Sequence, residues 1–117
     1  MFNGVSEAYL RGGKFEKALI YSNISLEKEP RNEEFLIQRS RIYLELNEYE
    51  KGITDLSHAL AVNDRNPLVY YRRGLAYYKN REYPAAIRDL EKSLRFDPSR
   101  NIQADIHYHI GIAYANL

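Results

Sequence analysis

Residue type and size repeat at a fixed interval of 34 along this chain of 117 residues. Tyr9, Tyr43 and Tyr77 stand that far apart, and so do Leu26, Leu60 and Leu94. Aromatic Phe15, Tyr49 and Tyr83 keep the same interval. Small residues keep it three times: Ser6, Ser40 and Gly74; Ala18, Gly52 and Ala86; Ser25, Ala59 and Ser93. Pro30 and Pro98 lie two intervals apart, with Asp64 midway. Self-similarity at periods of about 20–50 residues marks repeat architectures, whose units bury their apolar faces only by stacking on neighbours.

The unit itself is most legible between Pro67 and Pro98. Tyr70, Gly74 and Tyr77 fall on one face of a helix, and Tyr83, Ala86, Ile87, Leu90 and Leu94 fall on one face of a second. Lys79-Asn80-Arg81 breaks the two. Gly74 and Ala86 are small where the helices should touch, which lets the backbones approach and the larger side chains interlock around them. The expectation is a helical hairpin closed at Gly74 and Ala86.

A helix–turn–helix period of this length with these residues resembles the tetratricopeptide repeat family. That pattern has bulky, small and Tyr positions on the first helix, then small, bulky and small positions on the second, and ends in Pro. The central unit carries it as Tyr70, Gly74, Tyr77, Ala86, Leu90, Ser93 and Pro98. The resemblance covers essentially the whole chain. It implies an all-α, right-handed superhelical array of antiparallel helix-turn-helix repeats: about three and a half repeats, seven helices.

Read in order, Met1 to about Arg11 is a first helix ended by Gly12-Gly13, since glycine accepts the left-handed turn conformation. Helices are expected at Phe15 to about Lys28, Glu33 to about Leu46 and Tyr49 to about Val62. Asn32 and Asn66-Pro67 are start signals, and Asn47 is a left-handed stop. In the last segment Gly111 and Tyr114 match Gly74 and Tyr77 at a distance of 37, so three additional residues should lengthen the start of a final helix running from Ser99 or Arg100 to about Asn116. The expected organisation is one domain over residues 1–117, with repeats at about 1–32, 33–66, 67–100 and 101–117. The last is a first helix alone, and the chain reads as a fragment of a longer protein.

Composition narrows the function classes. Lys and Arg total 17 against 16 Asp and Glu, which gives no general attraction to nucleic acid or acidic membrane. There is no cysteine, hence no disulfide framework and no thiolate metal site. No apolar run reaches the roughly 18 residues of a spanning helix, and the start lacks a signal-peptide pattern. A cytoplasmic protein is expected, with no membrane and no nucleic acid as partner. Arg72-Arg73, Lys79 and Arg81 form a local basic patch, but Glu82, Asp89 and Glu91 dilute it, so solvated helix faces with paired charges are expected.

No arrangement of residues suggests catalysis, and no cofactor is expected. His107 and His109 are two apart and do not share a helix face, so no metal site is expected. His107 should turn inward, and Ile106 and Ile110 should lie on an end face of the array.

Stacked hairpins curve and line a concave groove with their first helices. Once the inward positions are assigned, the groove-facing candidates include Gln38, Arg41, Tyr71, Arg72, Leu75, Tyr78, Tyr108, His109 and Ile112, with Asp105 on the same face. Tyr and Arg are enriched at binding hot spots. Some rings, Tyr78 among them, also suit packing between neighbouring first helices. The resemblance further implies a carboxylate clamp for chaperone tails in some members. Its positions here are Asn3, Glu7, Gln38, Leu68 and Arg72, and only Arg72 matches, so a chaperone-tail receptor is not expected. The reading is a non-catalytic protein–protein interaction module that binds a peptide or helical segment in its groove and serves as a scaffold in a multiprotein complex. The alternative is a structural module that self-associates through open repeat ends, as a homodimer or a longer array.

Overall fold

The computed structural model describes Ser6, Tyr9, residues 12–96 and residues 100–117, the side chains of 100–102 excepted. Six helices follow one another among these residues: α1 (Phe15–Lys28), α2 (Glu33–Glu45), α3 (Tyr49–Val62), α4 (Pro67–Lys79), α5 (Tyr83–Phe96) and α6 (Arg100–Ala115). The expected helix before α1 falls largely outside the described residues, though Ser6 and Tyr9 are both helical. The all-α class holds, with six described helices against the seven expected.

Local chemistry sets the helix ends. Asn32 Oδ1 accepts the Phe35 N–H at 3.0 Å to open α2. Asn66 Oδ1 accepts the Leu68 N–H at 3.0 Å to open α4, with Pro67 in the first turn, where a missing N–H costs nothing. Closure is the same in successive hairpins. After α2, Asn47 takes φ 60°, the Glu48 N–H donates to Tyr43 O at 2.8 Å and the Asn47 N–H to Leu44 O at 3.1 Å. After α4, Arg81 takes φ 63°, the Glu82 N–H donates to Tyr77 O at 2.9 Å and the Arg81 N–H to Tyr78 O at 3.0 Å. Before α1, Gly13 takes φ 76° and the Lys14 N–H donates to Tyr9 O at 2.8 Å. This left-handed closure satisfies the last carbonyls of each first helix. It recurs at the sequence interval, on Gly, Asn and Arg in turn.

The chain divides into two compact units, residues 1–63 and 64–117. In the first, α2 packs against both α1 and α3. Ala18, Leu36, Ile42, Leu56 and Ala59 are buried there, and Tyr9, Phe15, Leu19 and Leu46 pack around Ala18 and Ile42. Each large apolar side chain removed from water favours the folded state by about 1.5–3 kcal/mol. Ser6 Oγ donates to Ala18 O at 2.8 Å, which brings the first small-residue pair of the repeat together. At the second pair, a Cβ on Gly52 would lie 3.3 Å from Ser40 O and 3.2 Å from Leu44 Cδ2.

In the second unit α4 and α6 both pack on α5, and α4 touches α6 more lightly. Val69, Tyr70, Ala76, Ala86, Ile87, Leu90, Ile106 and Ala113 are its buried apolar residues. The expected closure at Gly74 and Ala86 is present. A Cβ on Gly74 would sit 2.9 Å from Leu90 Cγ and 3.3 Å from Ala86 O, so only glycine fits this approach without a shift. Ser93 Oγ donates to Pro67 O at 2.8 Å and ties the far end of α5 back to the start of α4. Tyr70 shows why tyrosine suits such seams. Its ring is 6% exposed and stacks on Phe96, while its hydroxyl reaches Asp64 O at 2.8 Å.

The final helix has 16 residues where α2 and α4 have 13, in accord with the three additional residues expected at its start. Two expectations on it are corrected. Ile106 does not lie on an open end face: it is fully buried, seven residues before buried Ala113, on the side of α6 that α5 covers. His107 does not turn inward but is exposed: among the described residues no helix packs on that side of α6.

Candidate partner-binding site

The first helices of the second unit, α4 and α6, bring most of the candidate residues together. From α4 the Tyr71 hydroxyl donates a hydrogen bond to the Asp105 carboxylate on α6. The Tyr71 phenol is pushed up to about 12, first by burial, then by this hydrogen bond and the negative charge of Asp105, while the positive charge of Arg72 works the other way. Tyr78 meets His109 edge to face, centroids 5.9 Å apart, and meets Tyr83 in the same manner at 5.7 Å. His109 in turn lies edge to face with Tyr108 at 5.4 Å. Four rings from three helices thus form one chain of edge contacts, a favourable arrangement for aromatic quadrupoles. Tyr78 therefore does pack between neighbouring first helices, and so does Tyr71. Leu75, Arg72 and Ile112 are half-buried, and Tyr108 is 63% exposed.

His109 is held from its own helix. Its Nδ1 lies 2.8 Å from Asp105 O, one turn back, and 3.7 Å from Asp105 Oδ1. The Asp105 side chain remains 48% exposed. Asp105 was on the expected face but not among the candidate residues. Its signal in the sequence is a lone acid one turn before His109.

In the first unit Arg41 is half-buried on α2. Gln38 differs from expectation: it is 6% exposed, and its Oε1 is buried with no hydrogen-bond partner among the described residues. The helix is flanked by α1 and α3 on two sides, which leaves little open arc for a residue at its edge.

Sequence reasoning missed a repeated ion pair. Arg39 on α2 donates from Nε to Asp55 Oδ2 at 2.8 Å and from the terminal nitrogen to Oδ1 at 2.7 Å. Arg73 on α4 holds Asp89 in the same fork at 2.6 and 2.9 Å. Each guanidinium is held further above its ordinary value, chiefly by that hydrogen bond and against the cost of burial. Arg39 also lies over the Tyr43 ring at 5.6 Å and Arg73 over the Tyr77 ring at 5.7 Å. Arg73 is thus a member of the hairpin interior and not of a basic patch. The signal was available: both arginines and both aspartates keep the interval of 34.

Successive helical hairpins, each closed by the same left-handed turn and the same small-residue contact, define a helical repeat protein. The chain belongs to the tetratricopeptide repeat family: a tetratricopeptide repeat model matches residues 67–100, and a second TPR repeat model matches residues 41–80. Comparison with curated proteins returns no match. Among solved structures, the first TPR of Spaghetti (RPAP3) bound to the HSP90 peptide SRMEEVD superposes with a TM-score of 0.87 at 23% identity, covering 97% of this chain and 90% of that one. The Arabidopsis OM64 TPR domain gives 0.89 at 19% identity, with 99% and 93% covered. The second TPR domain of human RPAP3, in complex with the HSP70 peptide SGPTIEEVD, gives 0.87 at 18% identity, with 97% and 92% covered. Among the described residues no helix is long and apolar enough to cross a membrane.

Proposed function

We propose that this chain is a non-catalytic protein-interaction module that takes a peptide or helical segment of a partner against the first helices of its repeats. The observation that carries the reading is the joined surface of α4 and α6, where Tyr71, Tyr78, Tyr108 and His109 stand together beside Leu75, Arg72 and Ile112. Rigid rings lose little conformational freedom when a ligand settles on them, and Tyr and Arg dominate binding hot spots. Support also comes from the fold neighbours that hold peptides. The clamp positions Glu7, Gln38 and Leu68 argue for a ligand other than a chaperone tail, and the module's role is that of a scaffold.

Panning a random linear peptide library on the immobilised protein tests this. Enriched peptides, measured by fluorescence anisotropy, should bind Tyr108→Ala plus Ile112→Ala at least about tenfold more weakly. Enrichment of nothing, or equal binding by the double variant, would overturn the proposal.

Self-association through an open end is the second reading. It is favoured by the end of α6, where Tyr114 is 56% exposed and a Cβ on Gly111 would meet nothing within 4 Å, and by Leu117 just beyond it, 69% exposed. Sedimentation over a concentration series decides it: a mass that rises and then falls back in Tyr114→Glu supports it, and a constant monomer mass excludes it.

A further inference from the structure

Three aspartates on these helices have different surroundings. Asp55 and Asp89 are each closed by an arginine fork, at 2% and 3% exposure. Asp105 is 48% exposed, and among the described residues it has no Lys or Arg partner. Its carboxylate accepts the neutral Tyr71 hydroxyl, and Oδ1 stands 3.7 Å from His109 Nδ1, a nitrogen already hydrogen-bonded to Asp105 O. An ionised carboxylate offers about four acceptor directions. Among the described residues Oδ1 is therefore open toward a ligand.

The walls of this opening are aromatic. Tyr108 lies three residues after Asp105, on the same face of α6, and is 63% exposed. Its ring is steadied by the edge contact with His109. Tyr71 reaches the same carboxylate from α4 through its hydroxyl. A carboxylate beside aromatic faces selects among side chains. An acidic side chain is repelled. An apolar one strips water from the carboxylate and offers no hydrogen bond in exchange. A lysine or arginine satisfies both parts, its head on the carboxylate and its stem on the rings. The planar guanidinium can also lie flat against the rings while it donates to Oδ1, which an ammonium cannot do.

Two positive groups bear on the site. Arg72 opposes Asp105 at the Tyr71 hydroxyl, with the smaller effect. His109 carries charge only when protonated, and would then compete for Oδ1.

Building on the reading of α4 and α6 as a peptide site, we infer that Asp105, between the rings of Tyr71 and Tyr108, seats one basic side chain of the bound segment, arginine in preference to lysine. This inverts the charge preference expected for acidic peptides such as those held by the fold neighbours.

The test uses peptides enriched by panning on the wild-type chain. They should share a basic position. Replacing that arginine by citrulline, which keeps the shape and removes the charge, should weaken binding about tenfold on wild type and leave binding to Asp105→Asn unchanged. Panning on Asp105→Lys should enrich an acidic residue there. Tyr108→Ala, at an exposed position, should lose the arginine-over-lysine preference while staying folded, with a melting temperature lowered by no more than a few degrees. Enriched peptides lacking a basic position, or a citrulline penalty equal on wild type and Asp105→Asn, would overturn the inference while leaving the peptide site standing. If wild type enriches no peptide at all, both readings fall together.

Discussion

Arg73 and Asp89 meet across the α4–α5 hairpin in a two-pronged ion pair of 2.6 and 2.9 Å, and the aspartate side chain is 4% exposed. Removing one member of such a pair strands the other. Asp89→Ala should lower stability by about 2–3 kcal/mol, less than for a fully buried pair because Arg73 keeps some contact with water. Replacing both residues by leucine should cost less than Asp89→Ala alone. Urea denaturation of wild type and the two variants measures this. A loss under about 0.5 kcal/mol in Asp89→Ala, the level of ordinary surface substitutions, would show that the fork contributes little.

The two matching glycines of the repeat should respond with opposite sign. Gly74→Leu forces a side chain into Leu90 and Ala86 and should cost several kcal/mol, about 1–3 or more. Gly111→Ala meets nothing within 4 Å and should add about 0.5–1 kcal/mol by favouring the helix. Thermal melts of the two variants moving in the same direction would contradict the assigned contact.

Arg81 pays a conformational cost that Gly13 avoids in the same turn. A side chain at φ 63° costs about 1–2 kcal/mol, partly returned by the lower chain entropy of the unfolded state. Arg81→Gly should therefore raise stability by up to about 1 kcal/mol, and Gly13→Ala, at φ 76°, should lower it. Chemical denaturation midpoints test the pair.

Alkaline pH should unlock the α4–α6 surface. The fold holds the Tyr71 phenol neutral, with its titration raised to about 12 from about 10 in the unfolded chain. A raised value means the stabilisation is complete below about pH 10 and disappears as pH climbs toward 12. In Tyr71→Phe that part of the pH dependence should be missing, and absorbance titration should lose its step near 12. Identical alkaline stability profiles for wild type and Tyr71→Phe would contradict the assignment.

Features that depend on a few neighbouring residues were legible before the structure. Asn32, Asn47 and Asn66-Pro67 act locally, and each ends or opens a helix as expected. Gly74 and Ala86 were legible through size, since a close helix contact demands small residues at matching places. The arginine forks were not read, although their members recur at the interval. Their partners lie 16 residues apart on different helices, and a charged residue on a helix is assigned to solvent unless the crossing of two helices is known. The same ignorance of which neighbour covers which side misplaced Ile106 and His107 and left Gln38 on an open face. In the candidate site the rings were identified, but the Tyr71–Asp105 bond that organises them depends on how α4 and α6 approach.

The turns inside hairpins join α2 to α3 and α4 to α5 with three residues each, every one of them held by two backbone hydrogen bonds around a left-handed residue. Such a joint has no slack. A residue inserted there must break the closure and shift the small-residue contact out of register. Changes of length are thereby confined to the stretches between hairpins and the starts of first helices, as α6 illustrates with its additional residues. An exchange of parts with other arrays should accordingly be cut at 29–32 or 63–66, and the piece that moves intact is a whole hairpin and not a single helix.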